Sequence, residues 1–414
     1  FVPRVTHPGA QGGCGARVLA VSTCGGGKHK SISRGRAIVV GMSLFLAACQ
    51  TMVPRTGGPQ GPGAGPGDTV IGPGLPTDTQ RHRIALLVPT SGPNAGVGQS
   101  IANATTMALL DTSAENIRIT TYDTSKGSAA AVNHALADGN RLILGPLVGE
   151  DVKIAAPIAR AANVPIISFS NDTSVAGNGV FLMGYTPNQA VSRVVTYARS
   201  RGVQRFAALV PTGTYGERAG NAMLRAVEQA GGTVVSMQSF ERSPASMTLA
   251  AKKLAQASAY EAVLIADGGR IAIQFAPIIR KNGGADARLL GTELWNTETA
   301  LAASPAMRGA WFASVSDAYY RQLATKYRVR FGSAPYRLSS LGYDAVLLTV
   351  RIARDWKPGT PFPTARLTDD GGFAGIDGPF RFRANGTAER ALEVQQVDAG
   401  KFTVIEPAPR DFGK

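Results

Sequence analysis

From residue 83 onward the chain alternates between short apolar, β-branched runs and longer segments whose apolar positions recur at helical spacing. The runs 83–89 (RIALLVP), 117–122, 141–147 (RLILGPL) and 164–170 (VPIISFS) predict strands, and 97–112, 128–137 and 151–162 between them predict helices. ALLV and LIL are apolar at every position rather than at every second one, which suits strands of a parallel sheet covered on both faces. A second series follows. Helices at 189–200, 217–230, 247–258 and 271–282 separate strands at 205–211 (RFAALVP), 233–240, 261–267 and 287–292, and Gly231-Gly232 closes the second of those helices. RFAALVPTGTYGERAG also echoes RIALLVPTSGPNAGVG. The pattern predicts an α/β protein of two doubly wound parallel-sheet lobes with a cleft between them, and 181–186 (FLMGYT) as a crossover. Beyond these, 317–331 and 339–356 predict helices, while 375–382 and 393–405 alternate and predict an antiparallel hairpin.

The first 80 residues lack this pattern. Lys28, His29, Lys30, Arg34 and Arg36 form a basic segment, followed by the uncharged run AIVVGMSLFLAA over 37–48. A spanning helix needs about 20 apolar residues, so the run predicts the hydrophobic core of a secretory signal instead. It ends in Leu46-Ala47-Ala48-Cys49, which resembles the bacterial lipobox, whose cysteine is lipidated and becomes the first residue of the mature protein. Residues 1–49 are therefore read as a signal region ending in the lipidated Cys49, with no function assigned to 1–27. Residues 50–80 (GGPQGPGAGPG within them) cannot build a core and predict a flexible Pro/Gly-rich linker. Gln50 after the cysteine points to the outer membrane.

Charge and cysteine usage narrow the chemistry. The chain carries 43 Lys and Arg against 28 Asp and Glu, a formal +15. Six of those bases precede residue 50, in a stretch without an acid, so the remainder is near +9 and compatible with an acidic partner. Cys14, Cys24 and Cys49 are the only cysteines, and only His82 and His134 lie beyond Cys49. A disulfide, a cysteine nucleophile and a cysteine-based metal site in the globular part are thereby excluded, a Ser-His-Asp triad nearly so, and a metal-ligand cluster is not expected. No P-loop, GxSxG elbow or HExxH is present, and no nucleic-acid-binding signature. No enzyme, cofactor or metal is expected.

Five stretches in order resemble the leucine/isoleucine/valine-binding-protein family, the type I periplasmic binding fold: ALLVPTSGPNAGVGQSIANATTMAL, LILGPLVGEDVKIAAPIARAANVPIISFSNDTSV, FAALVPTGTYGERAG, LSSLGYDAVLLTVRIA and GIDGPFRFRANGTAERALEVQQVDAGKFTVI. The resemblance covers about 82–406 and implies one periplasmic-binding-protein-like domain over 81–406. It places lobe 1 at about 82–184 and 314–356, and lobe 2 at about 187–312 and 372–406. Within it, LGPLVGEDVKIAAPIARAANVPIISFSNDTSVAGNGVFLMGYTP is similar to lipoproteins of the penicillin-binding protein activator group. That implies a non-enzymatic cell-envelope lipoprotein on the periplasmic face, contacting a peptidoglycan synthase. The alternative is an ABC-transporter solute-binding lipoprotein that carries an amino acid or similar small solute to a permease. The membrane is then met through the lipid anchor only, and nucleic acid not at all.

In open α/β sheets ligands lie beyond the C-terminal ends of the strands. On the first lobe this singles out Thr90, Ser91, Gly92 and Asn94, then Gly145, Pro146 and Leu147, then Ser168, Ser170 and Asn171. Small hydroxyl residues beside helix N-termini could hold a ligand carboxylate, as matching loops do in the amino-acid-binding relatives; equally, they cap helices everywhere. On the second lobe the candidates are Tyr215, Asp267, Glu293 and Trp295, an acid for an ammonium group and an aromatic cover, against plain capping and packing roles. A basic, aromatic stretch from Tyr319 to Arg337 reads as a partner surface or as a solvated helix with one buried face. Replacing Cys49 with Ser is expected to release the protein from membrane fractions and to lower its mature mass by the missing acyl groups; unchanged sedimentation and mass would refute the anchor.

Overall fold

The structure is a computed structural model that describes residues 80–296, 298–410 and 412. The segment read as a signal region, Cys49 and nearly all of the expected linker lie outside the described residues. In chain order the strands are β1 (His82–Val88), β2 (Ile117–Asp123), β3 (Leu142–Leu144), β4 (Ile166–Ser168), β5 (Val180–Leu182), β6 (Arg205–Pro211), β7 (Thr233–Phe240), β8 (Ala262–Ile265), β9 (Arg288–Gly291), β10 (Trp311–Ser314), β11 (Phe373–Gly375), β12 (Gly378–Phe382), β13 (Ala388–Arg390), β14 (Glu393–Asp398) and β15 (Lys401–Glu406). The helices are α1 (Ala95–Thr112), α2 (Ser128–Ala137), α3 (Gly149–Ala161), α4 (Pro187–Ser200), α5 (Thr214–Gln229), α6 (Pro244–Ala255), α7 (Gly269–Lys281), α8 (Ala300–Ala303), α9 (Ala318–Phe331) and α10 (Ser339–Ala353).

The continuous apolar runs do become parallel strands. The first sheet has the order β2-β1-β3-β4-β5 and is parallel throughout. The second runs β15-β14-β10-β9-β8-β6-β7, so its β7-β6-β8-β9-β10 portion repeats the first sheet's order, and β14 and β15 add an antiparallel edge. Each sheet has an apolar core on both faces, which explains why its inner strands carry no polar alternation. The repeat extends to one backbone detail. A Cβ on Gly98 would lie 1.8 Å from the Pro89 carbonyl oxygen, and one on Gly216 1.6 Å from that of Pro211. Both glycines let the first turns of α1 and α5 sit directly against the ends of β1 and β6, and so bring those helix starts to the cleft.

Three differences from the sequence expectation follow. First, 181–186 is only partly a crossover, because Val180–Leu182 joins the first sheet as its fifth strand. Second, β10 passes unmarked in the sequence pattern yet sits in the middle of the second sheet. Third, 375–382 does not pair with 393–405. β12 pairs instead with β11 and β13 in a separate three-stranded sheet, and β14 pairs with β15. Phe373, Phe380, Phe382 and Ala388 of this small sheet lie in the first-lobe core. Residues 373–390 thus pack with lobe 1, and only 393–406 joins lobe 2. The alternating pattern marks which side of a strand is apolar, not which core receives it.

The Gly216 contact is with backbone, so no side chain can move aside to relieve it. Gly216→Ala is expected to cost about 1–3 kcal/mol, read as a lower midpoint in urea unfolding; an unchanged midpoint would show that α5 does not depend on this close approach.

Candidate functional site

The chain passes between the lobes three times, at 183–186, 315–317 and 391–392. Ala190, Val315 and Leu392, one near each crossing, pack together with Tyr185. Beside them lies a buried charge cluster. Asp377, fully buried, accepts from Tyr185 Oη and, at 2.8 Å, from Ser340 Oγ, and pairs with Arg337 Nη1 at 2.8 Å. Arg337 Nη2 also stands 3.2 Å from Asp317 Oδ1, and its guanidinium lies 4.2 Å from the ring centre of Tyr320. Arg390 donates to Met183 O at 2.7 Å and packs over the ring of Tyr185. Burial alone would raise the Asp377 carboxyl, but Arg337 and then Arg390 hold it below the usual range. Asp344, also fully buried, accepts from Ile376 N at 2.6 Å; burial and the charge of Asp377 push its carboxyl above the usual range.

Directly on this hinge is a cavity of about 330 Å³ between the lobes. Leu147, Phe169 and Asn171, at the ends of β3 and β4, form its first-lobe wall with Arg337 and Leu338. Glu293, Leu294 and Asn296 after β9, with Ser314 and Val315 at the end of β10, form the other wall, and Tyr185 belongs to the hinge side. The site therefore stands beyond the carboxyl ends of both sheets, where a doubly wound fold places ligands. Most of its surface is apolar, with one guanidinium and one buried carboxyl as polar anchors. Glu293 Oε1 accepts from Tyr215 Oη at 2.9 Å, while Oε2 has no partner among the described residues. Burial pushes the Glu293 carboxyl up to about 7, and burial with the charge of Glu293 raises Tyr215 as well. Across the cleft mouth, Arg218 of α5 pairs with Asp172, which follows β4, at 2.5 Å.

Of the candidates read from sequence, Leu147, Asn171 and Glu293 meet in this cavity, and Tyr215 stands behind Glu293. The others occupy neighbouring positions. Thr90 N and Ser91 Oγ donate to Asp123 at 2.9 and 2.8 Å, tying the β1 loop to β2, and Gly92 is exposed. Asn94 precedes α1 without a side-chain capping bond. Gly145 and Pro146 are buried at the end of β3, joined by a cis peptide. Ser168 Oγ donates to Pro146 O at 2.9 Å, and Ser170 Oγ accepts from Asp172 N at 3.1 Å, so both hydroxyls brace the loops behind the wall. Asp267 is buried in an ion pair with Arg242 at 2.9 Å and caps Gly268 N at 2.7 Å. Trp295 is fully buried, donating from Nε1 to Asp267 O at 2.9 Å.

Phe169, Tyr185, Leu294, Asn296, Ser314, Val315, Arg337 and Leu338 were not singled out as cavity residues. Arg337 ends the basic, aromatic stretch, where most neighbours are exposed: Arg321, Lys326, Arg328 and Arg330 face solvent, and only Leu323, Ala324 and Tyr327 of α9 are buried. Nothing local distinguishes Arg337 from those solvated bases.

The profile of the periplasmic binding protein family matches residues 82–401. An uncharacterized protein of Rickettsia prowazekii is 28% identical over 173 residues, 41% of this chain and 46% of that protein, so the match spans under half of the relative's length. A crystal structure of a protein assigned as a branched-chain amino acid ABC transporter from Rhodospirillum rubrum superposes with a TM-score of 0.70 at 20% identity, over 78% of this chain and 100% of that one. A solute-binding protein of an ABC transporter from Rhodopseudomonas palustris, solved with 3,4-dihydroxybenzoic acid, gives a TM-score of 0.62 at 17% identity, over 81% and 98% of the two chains. At these identities the solved structures establish the likeness of fold.

The raised Glu293 carboxyl has a sign that can be measured. Its ordinary value is 4.5 and its folded value about 7, so the neutral acid favours the fold. That contribution is complete below about pH 4.5 and disappears as pH rises through about 7. Glu293→Gln is expected to reduce the slope of this part of the stability profile, to which the raised Asp344 carboxyl also contributes, read by urea unfolding from pH 4 to 8; equal slopes for both proteins would remove Glu293 as a source.

Proposed function

The chain belongs to the periplasmic binding protein family, and on that premise we propose that it is a non-catalytic receptor of the bacterial cell envelope that encloses a small organic acid or amino acid between its lobes. In this reading it is a lipoprotein anchored through Cys49 and hands its solute to an ABC-type permease. The observation that carries the proposal is the interlobe cavity, with apolar walls from Leu147, Phe169, Leu294 and Val315 and polar anchors in Arg337 and Glu293. A guanidinium suits a carboxylate. A half-neutral Glu293 can give or take one hydrogen bond at another point of the ligand. The walls suit an aliphatic or aromatic body. Among the described residues no helix is long and apolar enough to cross a membrane, and on this proposal the lipid supplies the attachment.

A second reading rests on one observation, the resemblance of 144–187 to the penicillin-binding protein activator group. There the same lobes would serve as a contact surface for a peptidoglycan synthase. The family match and the solved neighbours support the receptor reading better.

Thermal melts of the purified protein with branched-chain amino acids, benzoate and hydroxybenzoates discriminate the two. A ligand at 100 times its Kd adds about 2.7 kcal/mol, enough for a rise of several degrees. Leu147→Trp, which fills the cavity, is expected to abolish that rise while the protein still melts cooperatively. No shift with any of these probes, together with capture of a purified synthase, would reverse the assignment in favour of the activator.

A further inference from the structure

Asp172 and Arg218 belong to opposite lobes. Asp172 follows β4 of the first lobe; Arg218 lies in α5 of the second, one helical turn beyond Tyr215 and on the same side of the helix. Asp172 Oδ1 receives Arg218 Nη2 at 2.5 Å and Ser174 N at 2.9 Å, and Lys153 Nζ stands 3.9 Å from Oδ2. The pair is partly buried, with side-chain exposures of 14% for Asp172 and 24% for Arg218. The first lobe makes room for it. A Cβ on Gly149, at the start of α3, would lie 2.9 Å from both Cβ and Oδ2 of Asp172.

We propose that Asp172 and Arg218 form a latch across the cleft mouth that draws α5 and the second lobe onto the first and thereby holds Glu293, backed by Tyr215, opposite the first-lobe wall of the cavity. Both partners come from the chain itself, so this part of lobe closure requires no solute. In a two-lobed receptor the solute usually bridges the lobes. Here a protein ion pair shares that task, and opening requires its separation. The positioning role rests on the receptor reading above, whereas the latch rests only on the two-lobed fold. Arg218 is then a positioning residue: it acts on the solute only through the wall that it holds.

Small-angle scattering of the purified full chain without added solute tests the latch. Asp172→Asn keeps an acceptor for Ser174 N and removes only the charge, so folding of that variant is not at stake. Asp172→Asn and Arg218→Ala are each expected to enlarge the radius of gyration relative to the wild type, and hydrogen exchange in the first turn of α5 is expected to quicken. Variants as compact as the wild type, with unchanged exchange in α5, would overturn the latch. Because no solute is present, that result would leave the receptor reading standing, and a failed ligand screen would leave the latch standing.

Discussion

A carboxylate with no exposure to water must be compensated where it stands, and Asp377 is such a carboxylate at the point where the lobes meet. Its partners come from separate parts of the chain. Tyr185 comes from the first interlobe crossing, Arg337 and Ser340 from the entry to α10, and Arg390 from the strand that leads into the last crossing. Arg337 reaches on to Asp317 in the middle crossing. One buried negative charge therefore fixes three chain passages relative to one another. Removing either side of this cluster would leave an uncompensated charge in the interior, which costs far more than the pair contributes when intact. Tyr185 and Arg337 also line the cavity, so the floor of the site and the axis of the lobes are built from the same side chains.

The two sheets explain why the cavity lies where it does. Both carry the same strand order, and the carboxyl ends of β3, β4, β9 and β10 open onto one space. This much was legible in the sequence. Unbroken apolar runs with helical spacers leave few alternatives to parallel strands, and the loops after such strands are where side chains converge. Asn171 and Glu293 were reachable by that rule alone. Length limited the rest. Val180–Leu182 has three residues and Trp311–Ser314 four, too few for a period to declare itself. The small sheet misled for another reason: GPFRF announces an apolar face, but its destination, the first-lobe core, depends on contacts some 200 to 300 residues back in the chain.

Arg337 and Trp295 show the same limit from opposite sides. Arg337 reads as one more base in a solvated stretch, yet Asp377 draws it inward until it forms part of the cavity wall. Trp295 follows a strand end, where an aromatic cover for a ligand would be expected, yet its ring packs so close to Gly291 that a Cβ there would lie 2.1 Å from it. In both cases residue type and loop position are correct indicators of neighbourhood. Orientation is settled by a partner distant in sequence, the carboxylate for one and the bare glycine backbone for the other.

The lobes are thus tied electrostatically at two places with unequal burial. At the hinge, Asp377 is wholly enclosed, with a tyrosine, a serine and two arginines around it. At the mouth, the partly solvated Arg218–Asp172 pair has Lys153 nearby, and water can replace what opening removes. Partly exposed pairs contribute little and separate readily, whereas buried ones resist losing a partner. By that asymmetry, opening of the lobes would part the mouth and leave the cluster around Asp377 intact. Tyr215 and Glu293 share the second lobe and a hydrogen bond, so they would move together with α5, while Tyr185 and Arg337 stay on the hinge. On the receptor reading proposed above, a solute held at Arg337 would keep that contact while the wall that bears Glu293 moves away.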